Sequence, residues 1–162
     1  MKNRLTHLDN TGSAQMVDIT QKKITNRIAV AKSKVLMKPS TLKFIKSGET
    51  KKGDVIGIAR LAGIMAAKKT ADLIPLCHQL PLSKISIQFF TKLNPCRVEI
   101  EATIKTTART GVEMEALTAV TVSALTIYDM MKSIDKNMII NETCLLLKDG
   151  GESGLYKKKE NL

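Results

Sequence analysis

Asp129 and Lys132 stand three residues apart near the end of a long helical pattern, so their side chains share a helical face. A carboxylate and an ammonium held this way can serve as base and acid, each tuning the other's pKa. The same spacing also makes an ordinary surface ion pair, and spacing alone does not choose. Glu113 and Glu115 fall in the first turn of that pattern, where acidic groups complement the helix dipole. As acceptor-only groups they equally suit the exocyclic amine and ring N–H of a purine. Cys77-His78 lies in a segment broken by Pro75 and Pro81. Adjacent side chains seldom converge on one metal and His7 is the only other histidine, so no metal site is expected. A hydrogen-bonded loop histidine and a phosphate- or hydroxyl-binding loop both fit. Lys51, Lys52, Lys68, Lys69, Lys84 and Lys148 fall at element ends, where they either converge on a phosphate chain or stay solvated.

Those residues need a scaffold, and the bulk properties provide for one. The 162 residues, 43% hydrophobic and 25% charged, suit a single globular domain with its own core. No linker, repeat or low-complexity block divides it. No apolar stretch approaches a membrane span, and none follows Met1-Lys2-Asn3-Arg4 as a secretory signal requires. Cys77, Cys96 and Cys144 are odd in number and far apart, which argues against a disulfide framework and suits a cytoplasmic location. A formal charge of +11 favours anionic partners without naming one, since Lys22-Lys23 and Lys157-Lys158-Lys159 also read as solvated clusters.

Residues 1–26 read as a loose N-terminal arm. Alternation over Arg27–Met37 predicts a strand with Ala29, Ala31, Ser33, Val35 and Met37 on its buried side. A short helix is expected from Ser40 to Lys46, with Ser40 or Thr41 as N-cap. A second runs from Val55 to Thr70, with Ile56, Leu61, Ile64 and Met65 as its buried stripe. Ser83–Lys92 and Arg97–Thr106 alternate on either side of Asn94-Pro95 and predict an antiparallel hairpin. Thr110-Gly111-Val112-Glu113 has capping-box spacing and opens a helix to Ser133, with a stripe at Met114, Leu117, Thr121, Ala124, Tyr128 and Met131. A last strand covers Met138–Lys148, and residues 149–162 form a flexible tail. That tail is no P-loop, because no Gly-Lys-Ser/Thr follows Asp149-Gly150-Gly151. The order β-α-α-β-β-α-β predicts an α+β, ferredoxin-like fold: an antiparallel sheet with helices on one face.

Several motifs are more specific than these patterns. Met16-Val17-Asp18, Lys52-Gly53-Asp54-Val55, Ala59-Arg60-Leu61-Ala62-Gly63-Ile64, Asp72-Leu73-Ile74-Pro75-Leu76-Cys77-His78 and Thr110-Gly111-Val112-Glu113-Met114-Glu115-Ala116-Leu117-Thr118-Ala119 stand in this order. Ala124-Leu125-Thr126-Ile127-Tyr128-Asp129-Met130 completes the set. From Leu5 to Gly154 the chain resembles the cyclic pyranopterin monophosphate synthase family of molybdenum cofactor biosynthesis. The resemblance implies conversion of 3′,8-cyclo-7,8-dihydro-GTP to cyclic pyranopterin monophosphate and pyrophosphate, with no cofactor. It implies a catalytic set of Lys52, Asp129 and Lys132, with Asp129 as general base. It also implies substrate binding by Leu76, Cys77, His78, Glu113, Met114 and Glu115. Lys68, Lys69, Lys148 and Arg27 would hold phosphates. A homohexamer, a trimer of dimers with sites at subunit interfaces, follows from the same resemblance. Gln79 stands where proline is usual and Arg109 where lysine is. Asp149 and Glu152 replace a serine and a basic residue.

Two other classes fit the element order. An RNA-recognition-like module needs aromatic residues on its central strands; aromatic content is 3% and tryptophan is absent, so no nucleic-acid partner is expected. A non-catalytic ligand-binding domain would place no demand on Asp129 or Lys132. No membrane partner is expected either.

Overall fold

The computed structural model describes residues 7–48 and 53–159. Along the chain come β1 (Thr25–Leu36), α1 (Pro39–Ser47), α2 (Val55–Lys68), α3 (Thr70–Leu73), β2 (Leu82–Leu93), β3 (Cys96–Ala108), α4 (Glu113–Met131), β4 (Ile139–Asp149) and β5 (Tyr156–Lys157). The strands form one sheet in the order β2-β3-β1-β4-β5, antiparallel throughout. This is the expected ferredoxin-like α+β arrangement, with α3 and the two-residue β5 added. β5 lies within the tail and pairs Tyr156 with Lys148 and Lys157 with Leu147.

Alternation decides which sheet face is covered. Ala29, Ala31 and Val35 of β1 stand opposite Ile104, Ala102 and Val98 of β3, and all six are fully buried. Directly opposite residues of an antiparallel pair point to the same side, so these make one apolar layer beneath the helices. The other face carries Lys32, Lys34 and Glu142; Glu142 adopts φ 48° beside a register shift in the β1–β4 pair and lies 2.6 Å from Lys34 Nζ.

Each helix buries much of its expected stripe. Ile56 and Ile64 of α2, with Leu117 and Tyr128 of α4, pack against the core, and Ala124 and Met131 are inside it. The exceptions are Leu61, Met65 and Met114. In α2 the buried residues are Val55, Ala59, Gly63, Ala66 and Ala67, while Leu61 and Met65 remain 59% and 52% exposed. In α4 the core side is Ala116, Ala119, Val120, Ser123, Ala124, Ile127 and Met131, whereas Met114 is exposed. The two helices approach closely. A Cβ at Gly63 would overlap Ser123 Oγ and the Ala119 carbonyl, and Ser123 Oγ donates to the Ala59 carbonyl at 3.0 Å. Small residues permit that contact, and Leu61 and Met65 are left outside it.

These contacts also fix direction. Ala59 lies beside Ser123 and Gly63 beside Ala119, so α2 and α4 run antiparallel. The end of α2 therefore lies at the start of α4, and the start of α2 at the end of α4.

Two expected caps are replaced by contacts from distant residues. Lys38, not Ser40 or Thr41, is the N-cap of α1 and makes no side-chain cap. Buried Asp135, beyond α4, accepts from Lys38 N and Thr41 Oγ1, each at 3.0 Å, and from Asn137 N at 3.1 Å. These bonds, the one from Lys38 N foremost, hold the Asp135 carboxyl below its usual pKa. At α4 the N-cap is Val112, also without a side-chain cap. The Glu113 carboxylate lies against Gly111 and pairs with Lys148.

Candidate functional site

Two groups of candidate residues form at opposite ends of α4. At its start, Glu113 Oε1 lies 3.0 Å from Lys148 Nζ, which β4 delivers from the sheet. Lys148 stands opposite fully buried Ala29, so the register aims its stem toward the helical side. The pair borders a cavity of about 530 Å³, which Arg27, Arg109, Lys22, Lys23 and the Asp149–Ser153 turn also line. Thr25 Oγ1, buried and with no hydrogen-bond partner among the described residues, belongs to another residue of this lining. Five cations against Glu113, Asp149 and Glu152 leave the wall net positive, suited to a polyanion that also offers donors to a carboxylate.

Lys22, Lys23 and Arg109 were not marked by sequence as site residues. Charge runs in a loop look the same whether they are solvated or folded against a cavity. Only the sheet register that brings residues 22–28 beside 108–111 and 148–153 separates the two. Asp18 lies near enough to Arg109 for their charges to interact, although the hydrogen bond from Thr20 is the main cause lowering the Asp18 pKa.

Arg27, which the resemblance offers as a phosphate binder, is bonded into the wall itself. Its Nη1 donates to the Gly150 carbonyl at 3.0 Å, its Nη2 to that of Arg109 at 3.1 Å, and its Nε to that of Ala108 at 3.4 Å.

Glu115, on the same first turn of α4, is only 5% exposed. Burial pushes its carboxyl pKa up, and the neighbouring Glu113 charge adds to the rise. The half-buried Cys77 thiol is raised as well, by burial first and then by the Glu115 charge, which places the loop of Leu76, Cys77 and His78 near Glu115. That loop is anchored by a turn in which Cys77 N donates to the Ile74 carbonyl at 3.0 Å. Lys68 and Lys69 close α2 at this same end, both exposed. Met114, exposed on the first turn of α4, points away from the core.

At the other end, Asp129 Oδ1 and Lys132 Nζ are 2.7 Å apart, with both side chains more than half exposed. Hydrogen bonding to Asp129, then its charge, raises the Lys132 pKa, so the ammonium form is favoured at neutral pH. Lys132 is the C-cap of α4, its backbone N–H bonding the Tyr128 carbonyl at 2.8 Å. Lys52 lies outside the described residues; Asp54, two positions on, caps α2 by accepting from Gly57 N at 2.9 Å. The start of α2 lies beside the end of α4, so the described chain re-enters the fold at the Asp129–Lys132 end.

At 1.5 Å per residue, Glu113 and Asp129 are separated by about 24 Å along the helix axis. Of the expected binding residues, Arg27, Glu113 and Lys148 line the cavity. Glu115, Met114, the Cys77 loop, Lys68 and Lys69 lie at the same end of the helices outside its lining, and the expected acid–base pair is at the other end.

Sheet and cavity together define a ferredoxin-like α+β protein with a cationic, carboxylate-bearing cavity at one end of its helical layer. Comparison with known proteins narrows this. The model of the MoaC family matches residues 16–151. A protein of Dinoroseobacter shibae named cyclic pyranopterin monophosphate synthase is 56% identical over 153 residues, covering 94% of this chain and 97% of its own. Its namesake in Thermomicrobium roseum is 52% identical over 157 residues, covering 97% and 95%. That of Pelotomaculum thermopropionicum is 56% identical over 155, covering 96% and 91%. The chain belongs to the MoaC family. Among the described residues, no helix is long and apolar enough to cross a membrane.

Proposed function

We propose that this chain is a cyclic pyranopterin monophosphate synthase, a lyase of molybdenum cofactor biosynthesis that converts 3′,8-cyclo-7,8-dihydro-GTP to cyclic pyranopterin monophosphate and pyrophosphate. Near-full-length identity with proteins bearing that name carries the reading. The reaction opens a purine ring, closes a pterin, and uses a sugar hydroxyl to displace pyrophosphate from the α-phosphorus. It needs proton transfers and a place for a triphosphate.

The cavity at the start of α4 supplies the second requirement. Lys148, Lys22, Lys23 and Arg109 neutralise phosphate oxygens, and Arg27 adds its charge from the wall. Lys68 and Lys69 approach from the end of α2. Glu113 and Glu115 accept from the guanine-derived ring, while Leu76, Cys77, His78 and Met114 border it. Charging buried Glu115 costs desolvation that donors on a bound ring offset.

Asp129 acts as general base and Lys132 stabilises the negative charge that develops, with Lys52 in proton transfers of ring opening. An exposed pair gains little from its charges in water, and desolvation strengthens them. A second subunit that seats its Asp129 end over this subunit's cavity supplies both the desolvation and the missing reach of about 24 Å. The chain therefore works as a homohexamer, a trimer of dimers with sites at interfaces, in the cytoplasm.

Purified protein given enzymatically generated 3′,8-cyclo-7,8-dihydro-GTP, with a chelator present, is expected to release pyrophosphate and a pterin in equal amounts. A folded protein that binds the substrate and releases neither would overturn the reading.

A further inference from the structure

The wall of the cavity depends on a turn that no ordinary residue can make. Gly150 and Gly151 take φ values of 97° and 78°, in the left-handed region that favours glycine. Space excludes a side chain as well. A Cβ on Gly150 would run into the Asn26 carbonyl, and one on Gly151 into the Arg27 guanidinium. The turn is thus folded directly onto the start of β1.

Arg27 fills the contact. Its three nitrogens donate to the carbonyls of Gly150, Arg109 and Ala108, so one planar fork joins the beginning of β1, the end of β3 and the exit of β4. A charged donor that completes three backbone acceptors is held in place, and lysine has neither the plane nor the donors to replace it. Just before the turn, Lys148 meets Glu113 at 3.0 Å. Just after it the chain returns to the sheet, where Lys158 N donates to the Leu146 carbonyl at 2.8 Å.

We propose that Arg27 is a positioning residue: its guanidinium clamps the Gly150-Gly151 turn and so holds Lys148 and the cavity wall in the geometry that binds pyrophosphate. The proposal rests on the reading of the cavity as a phosphate site and deepens it. A ligand role for Arg27 would require mainly its charge; the clamp requires its shape and the bare turn facing it.

Four variants separate these roles: Arg27→Lys, Arg27→Ala, Gly151→Ala and Gly154→Ala. Gly154 has φ 62° but open space around it, so alanine there adds similar backbone strain without touching Arg27. Binding of inorganic pyrophosphate is measured by calorimetry and amide exchange at Lys158 by NMR, both well below the melting temperature of each variant. Arg27→Lys and Gly151→Ala are each expected to weaken pyrophosphate binding on the order of tenfold and to speed exchange at Lys158 to a similar degree. Arg27→Ala should match them within roughly threefold, and Gly154→Ala should bind like the parent protein. Wild-type affinity and exchange in Arg27→Lys, with loss only in Arg27→Ala, would overturn the clamp in favour of a charge-only ligand. Unchanged behaviour of Gly151→Ala would overturn it too. If the parent protein itself binds no pyrophosphate, the phosphate reading of the cavity fails, and the exchange rates alone decide whether the clamp exists.

Discussion

The two ends of α4 are built on opposite principles. At its start, Glu113 is paired with a lysine from the sheet, Glu115 is buried, and a three-pronged arginine fixes the neighbouring wall. At its end, Asp129 and Lys132 face water as an exposed pair on the last turn. Binding machinery that is already ordered loses little entropy on engaging a ligand. An acid–base pair left in water has not yet reached the environment in which its charges count most. The contrast sets an ordered, paired cluster at one end against a solvent-exposed ion pair at the other.

Mutations at the two ends should therefore fail in different ways. Asp129→Asn is expected to cut kcat roughly 10²–10⁴-fold with pyrophosphate affinity unchanged within a few-fold, as for loss of a general base. Steady-state kinetics together with calorimetry check both halves. Lys148→Ala should act on the other side, weakening pyrophosphate binding roughly tenfold or more and raising KM before kcat. Equal effects of the two changes on binding would erase the distinction between the ends.

Smaller effects test the supports. Asp135→Ala removes the buried acceptor for Lys38 N and Thr41 Oγ1 at the start of α1 and is expected to cost about 2 kcal/mol at pH 7 by urea unfolding. The Asp135 carboxyl has a pKa lowered from 3.8. Its contribution is therefore present above 3.8 and is lost as pH falls through the lower, folded value. The gap between wild type and variant should close there.

Glu115 carries the opposite sign. Its pKa is raised from 4.5, so its stability contribution is intact below 4.5 and lost as pH rises through the folded value. Glu115→Gln should consequently gain on wild type in Tm as pH climbs from about 4.5 to 7, by roughly 2–4 °C, while losing substrate affinity. A constant difference in Tm across that range would mean that the carboxylate is not strained by burial.

Much of the scaffold was legible in sequence because strands report on nearest neighbours. Val98, Ile100, Ala102 and Ile104 alternate with polar residues, and a period of two has one solution. The helices were harder. Leu61 and Met65 look like core by size, yet the contact that sets the α2–α4 distance is made by Gly63, Ala59 and Ser123. Hydrophobicity ranks large residues first, whereas close helix packing selects small ones. Capping-box spacing at Thr110 and Glu113 misled because the helix starts two residues later, with Val112 as N-cap, and Glu113 pairs with Lys148, 35 positions on.

Of the site, residue types and the two helix ends were visible early, and their separation was not. Lys22 and Lys23 reach the cavity, and Arg27 is committed to three carbonyls, only through long-range register. Local pattern holds no trace of either. The 24 Å or so between Glu113 and Asp129 follows from helix rise once both sit on one unbroken helix.

That separation makes subunit mixing the most direct measurement. Asp129→Asn and Lys148→Ala proteins, each nearly inactive alone, are to be dissociated, mixed in equal amounts, reassembled and assayed. If each site joins the Asp129 end of one subunit to the Lys148 end of another, about a quarter of the sites combine two intact halves and activity returns to that level. Activity that stays at the level of the separate variants, in a fully mixed and reassembled protein, would contradict the shared site and return both ends of α4 to a single chain.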